Sequence, residues 1–252
     1  MGFSVEVDDG IAEIVMDHPK VNALTVAGWF ELADLVTAAG RDPDVGAVVL
    51  RAEGRGWNAG VDIKEMQATE GFDALIGANR GCYAAFAAVY ECEVPVIAAI
   101  HGYCLGGGIG LAGNADMIVA AEGTRFGLPE VNQGALGAAT HLARLVPQHK
   151  MREMVFTAEP IDVSLLEAWG SVSRVVPLDE LRDAAFDLAA KVCSKSRLVI
   201  RRAKECLNGI DPVDVKRSYR FEQGFTFELN LSGVSDEARD AFVQGTDAKF
   251  TK

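Results

Sequence analysis

The sequence predicts an α/β fold with a helical tail, on three observations. Short runs rich in β-branched residues alternate with helical patterns from residue 3 to residue 121, a glycine cluster stands where a strand gives way to a helix, and the pattern from Gly134 onward is mainly helical.

Residues 3–7 and 11–16 read as strands joined by the hairpin-like turn Asp8-Asp9-Gly10. Thr25 is placed to cap a helix carrying Trp29, Leu32, Leu35 and Val36 at helical spacing. A strand over 45–50, a glycine-bearing loop over 54–59 and a long helix over 73–91 follow. Next come a buried strand over 95–100, a glycine-opened helix over 106–115 and a strand over 116–121. Helices are then predicted over 138–145, 150–157, 163–169, 178–191 and 200–208, interrupted by a strand over 172–176 that Pro177 closes. The last two helices, 213–230 and 235–243, carry Tyr219, Phe221, Phe225, Phe227 and Phe242, more aromatic surface than an isolated helix hides. Such faces pack on the body or on a neighbouring subunit. The expected organisation is a core over 1–190 and a helical region over 191–252.

Composition excludes several function classes. Thirty-six acidic residues against 24 Lys and Arg give a net charge of -12, which opposes the phosphate neutralisation that nucleic-acid binding needs. No basic segment precedes an apolar run at the N-terminus, and apolar runs such as 94–100 fall far short of the ~20 residues that span a bilayer. The expectation is a soluble protein with no membrane partner. Cys82, Cys92, Cys104, Cys193 and Cys206 are odd in number and scattered, as reduced thiols in the cytoplasm are. His18, His101, His141 and His149 form no ligand pattern with Cys or carboxylates, so no metal is expected.

Three segments carry candidate chemistry. The run Ala98-Ala99-Ile100-His101-Gly102-Tyr103-Cys104-Leu105-Gly106-Gly107-Gly108-Ile109-Gly110 passes from a strand through glycines into a helix. Free N–H groups at such a start suit an anion or a developing oxyanion, although by itself the run serves equally to pack helix on strand. The cluster lies mid-chain rather than after the first strand, unlike a dinucleotide loop, and no Gly-Lys-Ser/Thr of a P-loop follows. Asn58-Ala59-Gly60-Val61-Asp62-Ile63-Lys64 offers a second backbone donor. Phe126-Gly127-Leu128-Pro129-Glu130 ends in a carboxylate after a proline-braced turn, either a solvated turn residue or a general base whose pKa an apolar wall raises.

These three segments, in this order, resemble the signatures of the crotonase (enoyl-CoA hydratase/isomerase) superfamily, and Ser235-Asp236-Glu237-Ala238-Arg239-Asp240-Ala241-Phe242 resembles its C-terminal segment. The resemblance implies a spiral of repeated ββα units with a C-terminal helical trimerisation region, and a homotrimer often paired into a hexamer. It implies an acyl-CoA substrate whose thioester oxygen is held by the N–H groups of Val61 and Gly107. Ala59, Val61, Asp62, Ile63, Gly106 and Gly107 would contact coenzyme A, with the adenine end along residues 58–64. Coenzyme A would then be part of the substrate, with no tightly bound cofactor, and Glu130 would be the acid/base.

The sequence departs from the family pattern at Gly110, where hydratases carry the first of two glutamates. Glycine there either leaves room for a bulkier acyl group or serves helix packing, and the 131–142 segment looks shorter than the usual proline-bearing loop. Residues 56–72, 78–86, 126–149 and 219–243 are similar to the actinobacterial steroid C/D-ring-opening CoA-thioester hydrolases. That similarity implies hydrolytic carbon–carbon cleavage of a bicyclic diketone thioester, with His141 and Asn58 as auxiliary candidates; read alone, His141 is a packed or surface histidine and Asn58 a loop-capping amide. The rival readings are an enoyl-CoA hydratase, a double-bond isomerase working with one glutamate, and a non-catalytic scaffold or RNA-binding relative. The acidic charge opposes RNA, and the paired donor segments with Glu130 oppose a scaffold.

Overall fold

A computed structural model describes residues 2–246 of the chain. Its elements are β1 (Gly2–Asp8), β2 (Ile11–Asp17), α1 (Val26–Arg41), β3 (Ala47–Ala52), α2 (Ile63–Ala68), α3 (Asp73–Glu91), β4 (Val96–Ile100), β5 (Tyr103–Leu105), α4 (Gly107–Ala112), β6 (Met117–Ala121) and β7 (Arg125–Gly127). These are followed by α5 (Ala139–Leu142), α6 (Gln148–Thr157), β8 (Ile161–Asp162), α7 (Val163–Ala168), β9 (Arg174–Val176), α8 (Leu181–Cys193), α9 (Arg197–Gly209), α10 (Val215–Leu231) and α11 (Val234–Gln244).

Six strands form one sheet in the order β1-β2-β3-β4-β6-β9, antiparallel at β1–β2 and parallel thereafter; β5, β7 and β8 form a second sheet. Each ββα turn sends one strand to each sheet: β4 and β6 join the first, β5 and β7 the second. This is the spiral the resemblance implied. The central strands are buried on both faces, as parallel strands covered by helices must be. One face packs on α1, α3 and α4 through residues such as Trp29, Phe86 and Ile100. The other packs on α8 through Leu181, Ala185 and Ala189.

Local signals explain the starts and stops. Thr25 caps α1 as expected, its hydroxyl accepting the Gly28 N–H at 3.1 Å. The glycine-opened helix is shorter than predicted, ending as α4 at Ala112, and the predicted 172–176 strand is β9 over its last three residues. Helix α8 continues through Cys193, so a boundary at residue 190 crosses a helix; the chain breaks at residues 194–196 instead. The helical region expected over 191–252 is α9, α10 and α11, with residues 247–252 outside the described residues. Helix α9 is tied to the core by Lys204, itself buried, whose ammonium donates to both Asp116 carboxylate oxygens at 2.7 and 2.8 Å.

The fold decides between the two readings of Gly110. A Cβ at this position would lie 2.1 Å from the Phe86 ring, which is enclosed between α3 and α4. Phe86 therefore fills the space that a side chain at 110 would take, and the extra room for an acyl group is not there. Substituting Gly110→Ala adds helix propensity of about 1 kcal/mol but overpacks this contact, a cost at the upper end of the usual 1–3 kcal/mol. The expected net loss is about 2 kcal/mol in urea unfolding, with part of it recovered by adding Phe86→Leu. An unchanged midpoint in Gly110→Ala would contradict the packing role.

Candidate active site

The site begins with a buried amide. Asn58 is fully enclosed, and its Oδ1 accepts the Gly60 N–H at 2.8 Å while its Nδ2 donates to the Asn22 carbonyl at 2.8 Å. Its backbone carbonyl accepts the Leu105 N–H at 2.9 Å, tying this loop to β5. Gly60 then takes φ +87°, a conformation in which a side chain is strained. The Leu24 N–H donates to the Gly60 carbonyl and the Asp62 N–H to the Leu24 carbonyl, both at 2.9 Å. That pairing uses the groups on either side of Val61 and turns the N–H of Val61 to the opposite edge, where it has no acceptor among the described residues.

The second segment meets the first here. A Cβ on Gly60 would lie 2.9 Å from the Gly107 nitrogen, so the two backbones touch only because residue 60 is glycine. Gly106, at φ +57° and ψ -120°, turns the chain into α4, and the Gly107 N–H, first in the helix, has no acceptor among the described residues. Behind it lies Trp29, whose ring would be 2.8 Å from a Cβ on Gly107. Two unpaired donors thus stand on adjoining segments that are held in place by packing.

Glu130 occupies a 3-10 turn (Pro129–Gln133) that Pro129 starts. Its Oε1 would lie 2.8 Å from a Cβ on Gly106, so the carboxyl group stands over the glycine that opens α4. Its Oε2 is shielded from solvent and has no hydrogen-bond partner. Burial pushes this carboxyl up to about 8, against the pull of its own backbone N–H and with added repulsion from Glu222. The carboxyl group is desolvated, unlike that of a solvated turn residue.

Glu130 lines a cavity of about 260 Å³ with mainly apolar walls, including Leu128, Leu136, Met151, Val155 and Phe225. A larger groove between α3 and α9 is lined by Glu91, Arg201 and Lys204 and contains none of the residues above. The apolar cavity also holds Glu222 from α10, which the sequence reading gave no role. Its Oε1 accepts the Thr140 N–H at 2.8 Å; burial raises its pKa to about 7, opposed by the N–H groups of Thr140 and Ala139. The available signal was a single carboxylate within the aromatic run Phe221 to Phe227. Its place in the same cavity as Glu130 is set by tertiary packing alone.

The remaining candidates fall into place differently. Asp62 caps α2, its carboxylate accepting the Lys64 N–H at 2.9 Å; Ala59, Val61, Asp62 and Ile63 are half-buried along that loop, and Gly106 is buried. Both ends of the Asn58 amide are occupied, so Asn58 positions the loop and presents no free group to a substrate. His141 is buried with both ring nitrogens unpaired, its ring 5.0 Å from those of Phe86 and Tyr219. Burial, and secondarily Arg144, push it down to about 3, so it is a neutral packing group. It is not among the residues that line the cavity of Glu130. Among the described residues no group of three His, Cys, Asp or Glu side chains could hold a metal ion.

A family model described as enoyl-CoA hydratase/isomerase matches residues 6–252. The chain belongs to the enoyl-CoA hydratase/isomerase family. Among members of that family, it is 64% identical over 245 residues to the (7aS)-7a-methyl-1,5-dioxo-2,3,5,6,7,7a-hexahydro-1H-indene-carboxyl-CoA hydrolase of Rhodococcus jostii (strain RHA1), covering 97% of this chain and 95% of that protein. A protein of the same name from Mycobacterium tuberculosis is 63% identical, with 96% and 98% covered. A probable enoyl-CoA hydratase of Mycobacterium bovis is 31% identical over 98% of this chain and 96% of its own. Among solved structures, a carnitinyl-CoA hydratase from Mycobacterium avium superposes with a TM-score of 0.84 at 28% identity, covering 99% of this chain and 98% of that one. An enoyl-CoA hydratase from Mycobacterium avium subsp. paratuberculosis K-10 shares the fold with a TM-score of 0.88 at 24% identity, over 100% and 99% of the two chains.

The raised Glu130 pKa has a consequence for stability. The carboxyl titrates at 4.5 when unperturbed and at about 8 in the fold, so its contribution is complete below pH 4.5 and is lost as pH rises through 8. Glu130→Gln is neutral throughout. Its melting temperature should match the parent near about pH 5 and exceed it by several degrees near about pH 9. A difference that does not grow with pH would show that Glu130 is not desolvated.

Proposed function

We propose that this chain is a CoA-thioester hydrolase that opens a ring of a bicyclic dione by carbon–carbon cleavage. The observation that carries this reading is the 64% and 63% identity, over nearly whole chains, to two hydrolases named for an indene-dione carboxyl-CoA substrate, against 31% to a probable hydratase. The site supports it. Residue 110 bears no carboxylate, and Phe86 closes the space where one would project.

In the proposed reaction Glu130 takes a proton from water as the hydroxyl adds to a ring ketone carbon. The adjacent carbon–carbon bond breaks, its electrons pass into an enolate, and that carbon regains a proton, so one water is consumed and a new carboxyl group forms. The N–H groups of Val61 and Gly107 hold the thioester oxygen as charge develops on it. Coenzyme A enters as part of the substrate along residues 58–64, and the reaction as drawn uses no other cofactor.

Two finer points belong to the same reading. The exposed Leu198 and Leu207 of α9, Ile210 just beyond it, Leu231 of α10 and Phe242 of α11 support a homotrimer or hexamer assembled through the C-terminal helices. All five cysteines are free and no described helix is long and apolar enough to cross a membrane, which supports a cytoplasmic setting.

Incubation with a cyclic dione CoA ester and with a straight-chain enoyl-CoA, followed by chromatography with mass detection, tests the proposal. The cyclic ester should gain one water and open, and Glu130→Gln should lower that turnover by about 10²- to 10⁴-fold. Efficient hydration or isomerisation of the linear ester, with the cyclic ester untouched, would overturn it.

A further inference from the structure

We infer that Glu222 is a second proton-transferring carboxylate of this pocket, acting with Glu130 and delivering from α10 what residue 110 cannot. The inference rests on the hydrolase reading and adds a catalytic residue to it.

Glu222 is held where it is by its neighbours. Next to it, Gln223 donates to the Asn79 carbonyl of α3 at 2.7 Å; one turn on, Thr226 donates to the Leu136 carbonyl at 2.5 Å and accepts the Leu136 N–H at 3.2 Å. These bonds fasten α10 to both sides of the cavity, so Glu222 is not needed to dock the helix. One of its oxygens is engaged by the Thr140 N–H. The other is shielded from solvent, has no partner, and belongs to a residue lining the same cavity as Glu130. An unpartnered, desolvated carboxyl oxygen beside a second one is costly to keep for packing alone.

The charged residues on this cavity are Glu130, Glu222 and Arg152, and Arg152 forms no ion pair with either glutamate. Burial raises both carboxyl groups of this apolar cavity toward neutrality, so a form with one protonated and the other ionised is accessible near neutral pH. Hydrolytic ring opening needs that state. It moves two protons at different atoms: one leaves the attacking water, and one arrives at the carbon released from the broken bond.

In the less populated form with that proton on Glu222, Glu130 being the more basic of the two, ionised Glu130 accepts the proton of water as the hydroxyl bonds to the ketone carbon. The tetrahedral adduct collapses to the new carboxyl group, and the electron pair of the breaking carbon–carbon bond moves to the neighbouring carbon and its enolate. The Glu222 carboxyl then protonates that carbon. The two glutamates have exchanged states, and proton transfer from Glu130 to Glu222 restores the starting form.

Glu222→Gln keeps an oxygen for the Thr140 N–H and removes only the proton transfer. It should lower kcat on the cyclic dione ester by about 10²-fold or more, leave KM within about threefold, and retain the thermal shift produced by coenzyme A. Glu222→Asp should keep part of the turnover. Lys204→Met serves as the structural control, breaking the ion pair with Asp116 that ties α9 to the core without touching this cavity, and should lower the melting temperature while kcat stays within about threefold. Parental kcat in Glu222→Gln, or an equal loss of kcat in Lys204→Met, would overturn the inference. If the unaltered protein fails to open the ester at all, the hydrolase reading falls and takes this role with it. An active parent with an active Glu222→Gln removes this role alone.

Discussion

The enclosed amide of Asn58 fastens the loop that carries Val61 against the turn that opens α4, and the chemistry of the site depends on that contact. Its two ends and its backbone carbonyl reach Asn22, Gly60 and Leu105, so three separate stretches of chain meet at one residue. A buried amide left half-bonded would cost about 1–3 kcal/mol, and here each end of the side chain has a partner. Gly60 and Gly107 can then touch. The reward is two backbone N–H groups without acceptors, donors that need no reorganisation when negative charge develops beside them.

The acid/base groups follow the opposite logic. Glu130 and Glu222 are placed among apolar side chains where burial raises both pKa values toward neutrality. Each carboxyl has one oxygen without a partner, the condition that the proposed proton transfers require. The backbone beside them is packed on fully enclosed rings, Trp29 against Gly107 and Phe86 against Gly110. Phe86 also links fold to function, because its ring fills the place where a side chain at residue 110 would project.

Much of this was legible in the sequence where the signal is local. The Thr25 cap, the alternation of strands and helices, the two glycine segments and the proline-braced Glu130 are each written within a few consecutive residues. The strands β5, β7 and β8 were not, because two or three residues carry no period. The role of Gly110 depends on a ring from α3, and the placing of Glu222 in the cavity of Glu130 on a helix near the end of the chain. Neither has a spacing that sequence could show. His141, which read alone is a packed or surface histidine, stands between Phe86 and Tyr219, and those two neighbours only the folded chain reveals.

The most direct test of the central claim is a crystal structure of the protein with a non-hydrolysable CoA thioester analogue bound. The expected result places the thioester oxygen within hydrogen-bond distance of both the Val61 and Gly107 N–H groups, with the acyl portion in the cavity between Glu130 and Glu222. A thioester oxygen directed elsewhere, with those two N–H groups still unpaired, would contradict it.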